Sequence, residues 1–202
     1  MLALIVILLP SAGFAGSLKL VALGDSLTAG FGLPEEDGFV PQLDTWLDGQ
    51  GRAEVEVINM GVSGDTTAGG LARLDWALGG GADAVIVELG ANDLLRGVDP
   101  ASSRQNLDEI LTRLGEQDIP VMISGMVASN NFGPEYKADY DAMFPELAEQ
   151  HGAVYDPFFL EGLVGEADLF QPDGLHPNRE GVARIVERIG PRVLELLERV
   201  PE

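Results

Sequence analysis

Short apolar runs alternate with longer amphipathic stretches along the chain after Ser17. The apolar runs predict five β-strands: Leu18–Leu23, Glu54–Asn59, Ala84–Leu89, Pro120–Ser124 and Ala153–Tyr155. Between them, apolar residues recur at helical spacing and predict five helices: Phe39–Gly49, Thr67–Leu78, Ser102–Gln117, Tyr136–Gln150 and one from Asn178 to about Val200. We expect Pro191, which follows Gly190, to kink or split the last helix.

The alternation of strands and helices predicts the fold class. Nearly continuous apolar strands such as "AVIVEL" are typical of a parallel sheet that is buried on both faces. Strands that alternate with helices form a doubly wound α/β sandwich. We therefore predict a flavodoxin-like three-layer α/β/α sandwich around a parallel five-stranded sheet. The 202 residues suffice for one domain with a substantial core, which we assign to residues 17–202.

The first sixteen residues differ from the rest of the chain. The stretch "MLALIVILL" is uncharged and apolar, Pro10 interrupts it, and small residues follow. This pattern is typical of a secretory signal peptide, and it is too short for a spanning helix of about 20 residues. The alternative is a buried N-terminal strand. We predict a signal peptide over residues 1–16 and export, most simply to a bacterial periplasm, although no Lys or Arg precedes the apolar run.

Charge and composition exclude several classes of protein. Asp and Glu number 33 against 12 Lys and Arg, which gives a net charge of −21 and disfavours binding to nucleic acids or anionic lipids. The chain has no cysteine and only two histidines, His151 and His176, so neither a disulfide nor a multi-histidine metal site is expected. We predict no metal, no cofactor and no stable membrane anchor in the mature chain. The oligomeric state stays open, with a monomer favoured.

Small polar residues and glycine follow three consecutive predicted strands, in the sequences "GDS", "MGVSGDT" and "GANDLL". A single junction of this kind could be explained by turn formation alone, and Asp25 and Ser26 could simply cap a helix. Ligands of doubly wound sheets bind at the carboxyl ends of the strands. Three such junctions at one edge of a sheet therefore indicate a functional site.

A fourth segment, "FQPDGLHPNREG", supplies the chain's candidate base. Asp173 lies three residues before His176, and flanking prolines restrict the loop. An Asp carboxylate at this spacing can accept a bond from His Nδ1–H, which leaves Nε2 free to take a serine proton. Serine needs such a base because its hydroxyl barely ionises at neutral pH.

Together these blocks resemble the GDSL/SGNH hydrolase family, in the family's own order: "GDSL" at 24–27, "GVSGDT" at 61–66, "GAND" at 90–93 and "DGLHP" at 173–177. Within the family the chain looks most like the periplasmic thioesterase/lysophospholipases and the arylesterases. The resemblance implies a nucleophile at Ser26, a base at His176 and an orienting carboxylate at Asp173. It also implies that Ser26, Gly64 and Asn92 form an oxyanion hole.

Elementary chemistry agrees with these roles. Two backbone N–H groups and the Asn92 amide can donate hydrogen bonds to the oxyanion that forms when an ester is attacked. We interpret the neighbouring acids Asp25, Asp65 and Asp93 as turn, cap or loop residues and Arg96 as a solvated loop charge. Trp46 and Trp76 are interpreted as core or half-buried packing residues.

The loops 94–100 and 126–136 are expected to shape the acyl site, with Leu94, Leu95, Val127 and Phe132 in contact with substrate. The resemblance implies a broad range of small-molecule substrates that includes aryl esters, acyl thioesters such as acyl-CoA, and lysophospholipids. We expect a serine esterase for esters and thioesters with short or medium acyl chains. The alternatives are a carbohydrate O-acetyl esterase on the same scaffold and a non-catalytic acyl- or glycan-binding module. A nucleotide-binding flavodoxin-like protein is disfavoured because the first turn lacks the Gly-x-Gly-x-x-Gly pattern.

Overall fold

A computed structural model describes residues 17–201, and the predicted signal peptide lies outside the described residues. Five strands form one sheet: β1 Leu18–Gly24, β2 Val55–Gly61, β3 Ala84–Glu88, β4 Val121–Ser124 and β5 Val154–Asp156. All neighbouring strands are parallel, in the order β2-β1-β3-β4-β5. The predicted five-stranded parallel sheet of flavodoxin-like order is confirmed.

The helices in the described residues lie between consecutive strands, except for the last helix, which follows β5. They are α1 Ser26–Ala29, α2 Phe39–Gly49, α3 Thr67–Ala72, α4 Leu74–Ala77, α5 Ala91–Arg96, α6 Pro100–Gly115, α7 Pro134–His151 and α8 Arg179–Leu197. Three 3₁₀ turns lie at Glu35–Asp37, Asn130–Phe132 and Ala167–Leu169. The core consists of the sheet's apolar residues and the inner faces of α2, α6, α7 and α8, and β3 is buried along its whole length. No helix in this part of the chain has the length and apolar character that a bilayer crossing requires.

The last predicted helix is not split at Pro191, because α8 runs through it to Leu197. Pro191 is exposed, so the carbonyl that loses its helical partner lies on the side open to water. The buried face of α8 packs on α2, where the Trp46 indole N–H donates to Glu187 Oε2 at 3.0 Å. Trp46 is half-buried as expected, whereas the expectation for Trp76 is wrong because its side chain is 66% exposed on α4.

The strands end in register, and this alignment positions the site. Gly24 pairs with Gly61 on one side and with Glu88 on the other, while Glu88 pairs with Ser124 and Ser124 with Asp156. One row of residues therefore marks the carboxyl edge of the whole sheet. Every loop that follows this row emerges on the same side, and strand order reverses between β1 and β3, where doubly wound sheets bind their ligands.

Candidate active site

Ser26 begins helix α1 directly after β1 and a one-residue turn. Asp25 is the N-cap of this helix, and its Oδ1 accepts a hydrogen bond from the Leu27 N–H at 3.0 Å. A Cβ on Gly24 would lie 2.0 Å from Thr28 Oγ1, so only glycine permits this tight turn. The capping interpretation holds for Asp25, whereas Ser26 lies half-buried at the sheet edge, as the functional-site interpretation requires.

His176 reaches Ser26 from the far end of the chain. Its Nε2 lies 2.9 Å from Ser26 Oγ, and its Nδ1 lies 2.6 Å from Asp173 Oδ2. In the tautomer protonated at Nδ1, the ring donates to Asp173 and accepts from the serine hydroxyl. Phe31 covers the imidazole, with ring centroids 4.6 Å apart. The structure therefore brings together the three residues that the sequence singled out for nucleophile, base and orienting carboxylate.

The loop that carries Asp173 and His176 is fixed by its own hydrogen bonds. Asp173 Oδ1 accepts from the N–H groups of Leu175 at 2.9 Å and His176 at 3.0 Å. The backbone N–H of His176, followed by that of Leu175 and by the imidazole, lowers the pKa of Asp173 to about 2. Asp173 is therefore ionised at all pH values where an esterase works, and its charge holds the imidazole in one orientation.

Gly64 occupies the third position of a turn that Asp65 N–H closes on Val62 O at 3.0 Å. Its φ of +86° is the left-handed conformation that favours glycine. Within residues 17–201 the Gly64 N–H donates to no protein acceptor, and it lines the same cavity as Ser26. Arg96 Nη2 donates to Gly64 O at 2.8 Å, so Arg96 is exposed as expected but is also bonded to this turn.

Asn92 lies in the first turn of α5, directly after β3. Its Nδ2 donates one hydrogen bond to Asp25 Oδ2 at 2.9 Å, which leaves the second amide hydrogen for a ligand. Ser26, Gly64 and Asn92 all border the cavity that contains His176. These are the three residues predicted to supply oxyanion donors, and Asp25 acts as a hydrogen-bond partner that orients one of them.

Two carboxyl groups are buried beneath the turn. Burial raises the pKa of Asp25 to about 6. Burial and the neighbouring charge of Asp25 raise the pKa of Glu88 well above its ordinary value. Glu88 Oε2 accepts from Thr28 Oγ1 at 2.8 Å and from Asp25 N–H at 3.3 Å, so it supports the turn from below. Sequence reasoning missed Glu88, although it is the single acid in the apolar run "AVIVEL".

Arg73 connects the two loops that carry Ser26 and Gly64. Its Nε bonds Asp65 Oδ2 at 2.5 Å, and its Nη2 donates to Gly24 O at 2.9 Å. The side chains of Arg73 and Asp65 are only 15% and 18% exposed. This ion pair therefore fixes the end of β1 relative to the turn after β2, and it gives Asp65 the structural role expected from the sequence.

Asp93 is buried and faces away from the cavity. It accepts hydrogen bonds from Thr67 N–H at 2.8 Å, Thr67 Oγ1 at 2.6 Å and Ser103 Oγ at 2.8 Å. These contacts join the starts of α3 and α6 to α5. The residue next to Asn92 is therefore a structural hydrogen-bond acceptor, as the sequence analysis predicted.

The cavity above Ser26 has a volume of about 430 Å³ and is lined mainly by apolar side chains. Of the four predicted substrate contacts, Leu94, Leu95 and Val127 line it. Met126, which belongs to the predicted loop 126–136, also lines it, and so do four residues that the sequence analysis did not name: Phe31, Phe158, Leu160 and Leu175. Strand order gave a usable signal for three of these five, because Met126, Phe158 and Leu160 follow the ends of β4 and β5 at the same sheet edge.

Phe132 is not among the residues that line this cavity. Its ring lies tilted against Tyr136, with centroids 5.0 Å apart, and lies against Gly97, where a Cβ would be 2.7 Å from the ring. Gly97 ends α5 with a positive φ and leaves the space that the ring fills. Phe132 thus packs the loop 126–136 against α5.

Ser26 Oγ, the His176 imidazole and the Asp173 carboxylate lie in line. The Gly64 N–H and the second amide hydrogen of Asn92 border the same cavity, and together these groups define a site of the serine hydrolase type. Residues 17–201 contain no group of three or more His, Cys, Asp or Glu arranged to hold a metal ion. A model of the GDSL-like lipase/acylhydrolase family matches residues 22–184, and the chain belongs to this family.

Relatives with assigned activities align over most of the chain. Esterase TesA of Pseudomonas aeruginosa is 36% identical and covers 91% of each chain, and an arylesterase of Vibrio mimicus is 35% identical and covers 98% of each. Thioesterase 1/protease 1/lysophospholipase L1 of Escherichia coli K12 is 34% identical over 82% of this chain and 78% of its own.

Among solved structures, the SGNH-hydrolase family esterase AlinE4 is 42% identical and superposes with a TM-score of 0.75 over 90% of this chain and 97% of its own. The three-layer α/β/α fold predicted from the sequence is the fold of this family.

Proposed function

We propose that the protein is a serine esterase that hydrolyses carboxylic esters and thioesters through an acyl-enzyme on Ser26. The observation that carries this proposal is the contact of 2.9 Å between Ser26 Oγ and His176 Nε2, with Asp173 behind the ring at 2.6 Å. The hydroxyl opens into a cavity of about 430 Å³ with apolar walls, which provides room for an acyl group.

The geometry supports the following acylation step. Ser26 Oγ attacks the carbonyl carbon while His176 Nε2 takes the hydroxyl proton, and the carbonyl π electrons move to oxygen. The resulting oxyanion accepts hydrogen bonds from Ser26 N–H, Gly64 N–H and the free Asn92 amide hydrogen. When the intermediate collapses, the bond to the leaving oxygen or sulfur breaks, and His176 returns the proton to that atom.

Deacylation repeats these steps with water. His176 Nε2 takes a proton from water, whose oxygen attacks the acyl carbon and forms a second oxyanion in the same donor set. Collapse breaks the bond to Ser26 Oγ, and His176 returns the proton to that oxygen. The products are the free acid and the original enzyme.

The apolar cavity supports esters of short or medium acyl chains, and the names of the relatives support aryl esters and thioesters. A series of p-nitrophenyl esters from acetyl to dodecanoyl measures this preference. We expect kcat/KM to increase from acetyl toward octanoyl because each added methylene enters an apolar cavity. A strict preference for acetyl esters would instead favour a carbohydrate O-acetyl esterase.

Labelling with a fluorophosphonate tests the assignment of the nucleophile. We expect intact-mass analysis to show one adduct on the wild type, peptide mapping to place it on Ser26, and Ser26→Ala to abolish both the adduct and turnover. Ser102→Ala, which removes an exposed hydroxyl on α6, is the matched control and should label normally. Ligand affinity without any adduct on Ser26 would favour a non-catalytic binding module.

We also propose that the chain is exported to the periplasm, that residues 1–16 are removed and that the mature protein is monomeric. The uncharged apolar run followed by small residues supports export and removal of residues 1–16. The intact mass of the protein recovered from a periplasmic fraction would show removal of residues 1–16, and sedimentation would give the mass of the particle. An uncleaved N-terminus would contradict the assignment.

A further inference from the structure

A second, open groove of about 770 Å³ adjoins the active-site cavity and shares Leu160 and Leu175 with it. Residues 164–168 form one wall, and the segment that leads into His176 forms the other. Val164 and Leu175 are 69% and 54% exposed, although both are apolar. Covering such side chains is favourable, so the groove suits an alkyl or aryl group that continues out of the cavity.

The position of the groove indicates which half of a substrate it receives. In the proposed mechanism His176 returns its proton to the leaving atom, so the leaving group must lie against the imidazole. Leu175 directly precedes His176 and lines both the cavity and the groove. A chain that extends from the leaving atom past Leu175 therefore enters this groove.

The charge of the groove restricts what it can bind. Glu166 and Asp168 line it and are exposed. Its lining within the described residues includes no Lys, Arg or His, and the chain as a whole carries a net charge of −21. Phosphate groups at this position would meet two carboxylates and no cation, which disfavours anionic leaving groups.

We propose that this groove, here called the leaving-group groove, binds the alcohol or thiol half of the substrate and selects neutral apolar groups over anionic ones. The inference rests on the proposed function, because it needs Ser26 to be acylated and His176 to protonate the leaving atom. It narrows the substrate class to esters and thioesters of neutral, apolar alcohols and thiols.

The charge selection is tested with two substrates that share one acyl group, p-nitrophenyl octanoate and octanoyl-CoA. We expect the double variant Glu166→Gln/Asp168→Asn to raise kcat/KM for octanoyl-CoA about three- to tenfold at low ionic strength, with most of the gain lost in about 0.5 M NaCl. The neutral ester should change by less than about twofold, because it carries no charge for the carboxylates to repel.

Glu109→Gln/Glu116→Gln is the matched control for net charge, because it removes two exposed carboxylates from the region of α6. An equal gain in this control would assign the effect to the overall charge and overturn the selection by the groove. No gain in Glu166→Gln/Asp168→Asn would overturn it as well.

Substrates with different alcohols test which half of the substrate occupies the groove. We expect Val164→Asp to lower kcat/KM for dodecyl octanoate about tenfold and to leave methyl octanoate unchanged, since only the long alcohol reaches residue 164. The deacylation rate of the octanoyl-enzyme should stay unchanged, because the alcohol has departed before this step. Trp76→Asp, at a similarly exposed position on α4, should change neither substrate.

A changed deacylation rate in Val164→Asp would assign the groove to the acyl chain and overturn the inference while leaving the acyl-enzyme mechanism intact. Equal losses on dodecyl and methyl octanoate would also overturn it. Absence of an adduct on wild-type Ser26 would instead contradict the proposed function itself, so the two failures are distinguishable.

Discussion

The two oxygens of the Asp25 carboxylate contact different parts of the site. Oδ1 accepts from the Leu27 N–H and caps α1, while Oδ2 accepts from Asn92 Nδ2 and orients an oxyanion donor. Asparagine has the same shape as aspartate but only one side-chain acceptor, so Asp25→Asn can keep the helix cap and lose the contact with Asn92.

Asp25→Asn is therefore expected to lower kcat about 10- to 100-fold, because its Oδ1 keeps the cap while its NH₂ group faces the Asn92 amide. Asn caps helices as well as Asp, so any fall in the thermal midpoint should come from the opposed amide groups of residues 25 and 92 rather than from loss of the cap. Asp99→Asn, at the N-cap of α6, is the matched control and should leave kcat unchanged. Steady-state kinetics and thermal unfolding of both variants check the prediction, and a fall in stability without a fall in kcat would contradict it.

The triad also fixes the pH dependence of turnover. Asp173 has a pKa of about 2 and stays ionised, so protonation of His176 alone removes the base as the pH falls. We expect kcat/KM on p-nitrophenyl butyrate to fall at least about tenfold per pH unit at the acid end of the profile, since protonation of His176 by itself abolishes activity. A flat profile between about pH 4 and 9 would remove His176 from the mechanism.

The sequence was informative about residues that follow strand ends and uninformative about side-chain packing. Ser26, Gly64 and Asn92 come directly after predicted strands, so the parallel sheet alone brings them to one edge. The ring of Phe132 could not be placed in this way. Its position depends on the space beside Gly97, which only the folded loop reveals.

At the scale of elements, the strand predictions held because apolar runs are a strong signal, and the observed bounds differ from them by one or two residues. Helices α1 and α5 were missed because four and six residues are too short to show helical periodicity. These two short helices carry Ser26 and Asn92. The two helices that carry these candidate catalytic residues were therefore the hardest to predict from the hydrophobic pattern.

Arg73 connects the β1 turn and the β2 turn, and its loss should affect catalysis more than folding. We expect Arg73→Lys to lower kcat about tenfold or more with little change in KM, because a lysine cannot bond Asp65 and Gly24 O in the same fork geometry. Turnover of p-nitrophenyl esters and the rate of fluorophosphonate labelling at Ser26 measure the effect.

Arg113→Lys is the matched control, because Arg113 pairs with Asp75 on the exposed surface. It should retain wild-type kcat. If Asp65→Asn, which breaks the Arg73 pair from the other side, left kcat and labelling unchanged, the connecting role of Arg73 would be wrong.

At the scale of the whole molecule, the buried acids and the net charge of −21 both lower the free energy of unfolding as the pH rises. The pKa values of Asp25 and Glu88 are raised on folding, so the folded state binds more protons than the unfolded state above pH 3.8. The free energy of unfolding should therefore fall as the pH rises through about 6, where Asp25 ionises. Repulsion between surface carboxylates adds to this trend.

Urea unfolding at several pH values, in low salt and in about 0.5 M NaCl, separates the two contributions because salt screens the surface charges far more than the buried ones. We expect the slope with pH to persist in high salt and to flatten in Glu88→Gln. Equal slopes in Glu88→Gln and the wild type would contradict the role of the buried acid.

Ser26 and His176 lie 150 residues apart and meet only in the finished sheet. A nascent chain exposes the serine early in synthesis, whereas the imidazole arrives only when most of the polypeptide has left the ribosome. Any N-terminal fragment that stops before residue 176 therefore lacks the base, however well it folds. Hydrolytic activity thus requires synthesis through residue 176 and docking of the segment that carries His176, and fragments that stop before it remain inert toward esters.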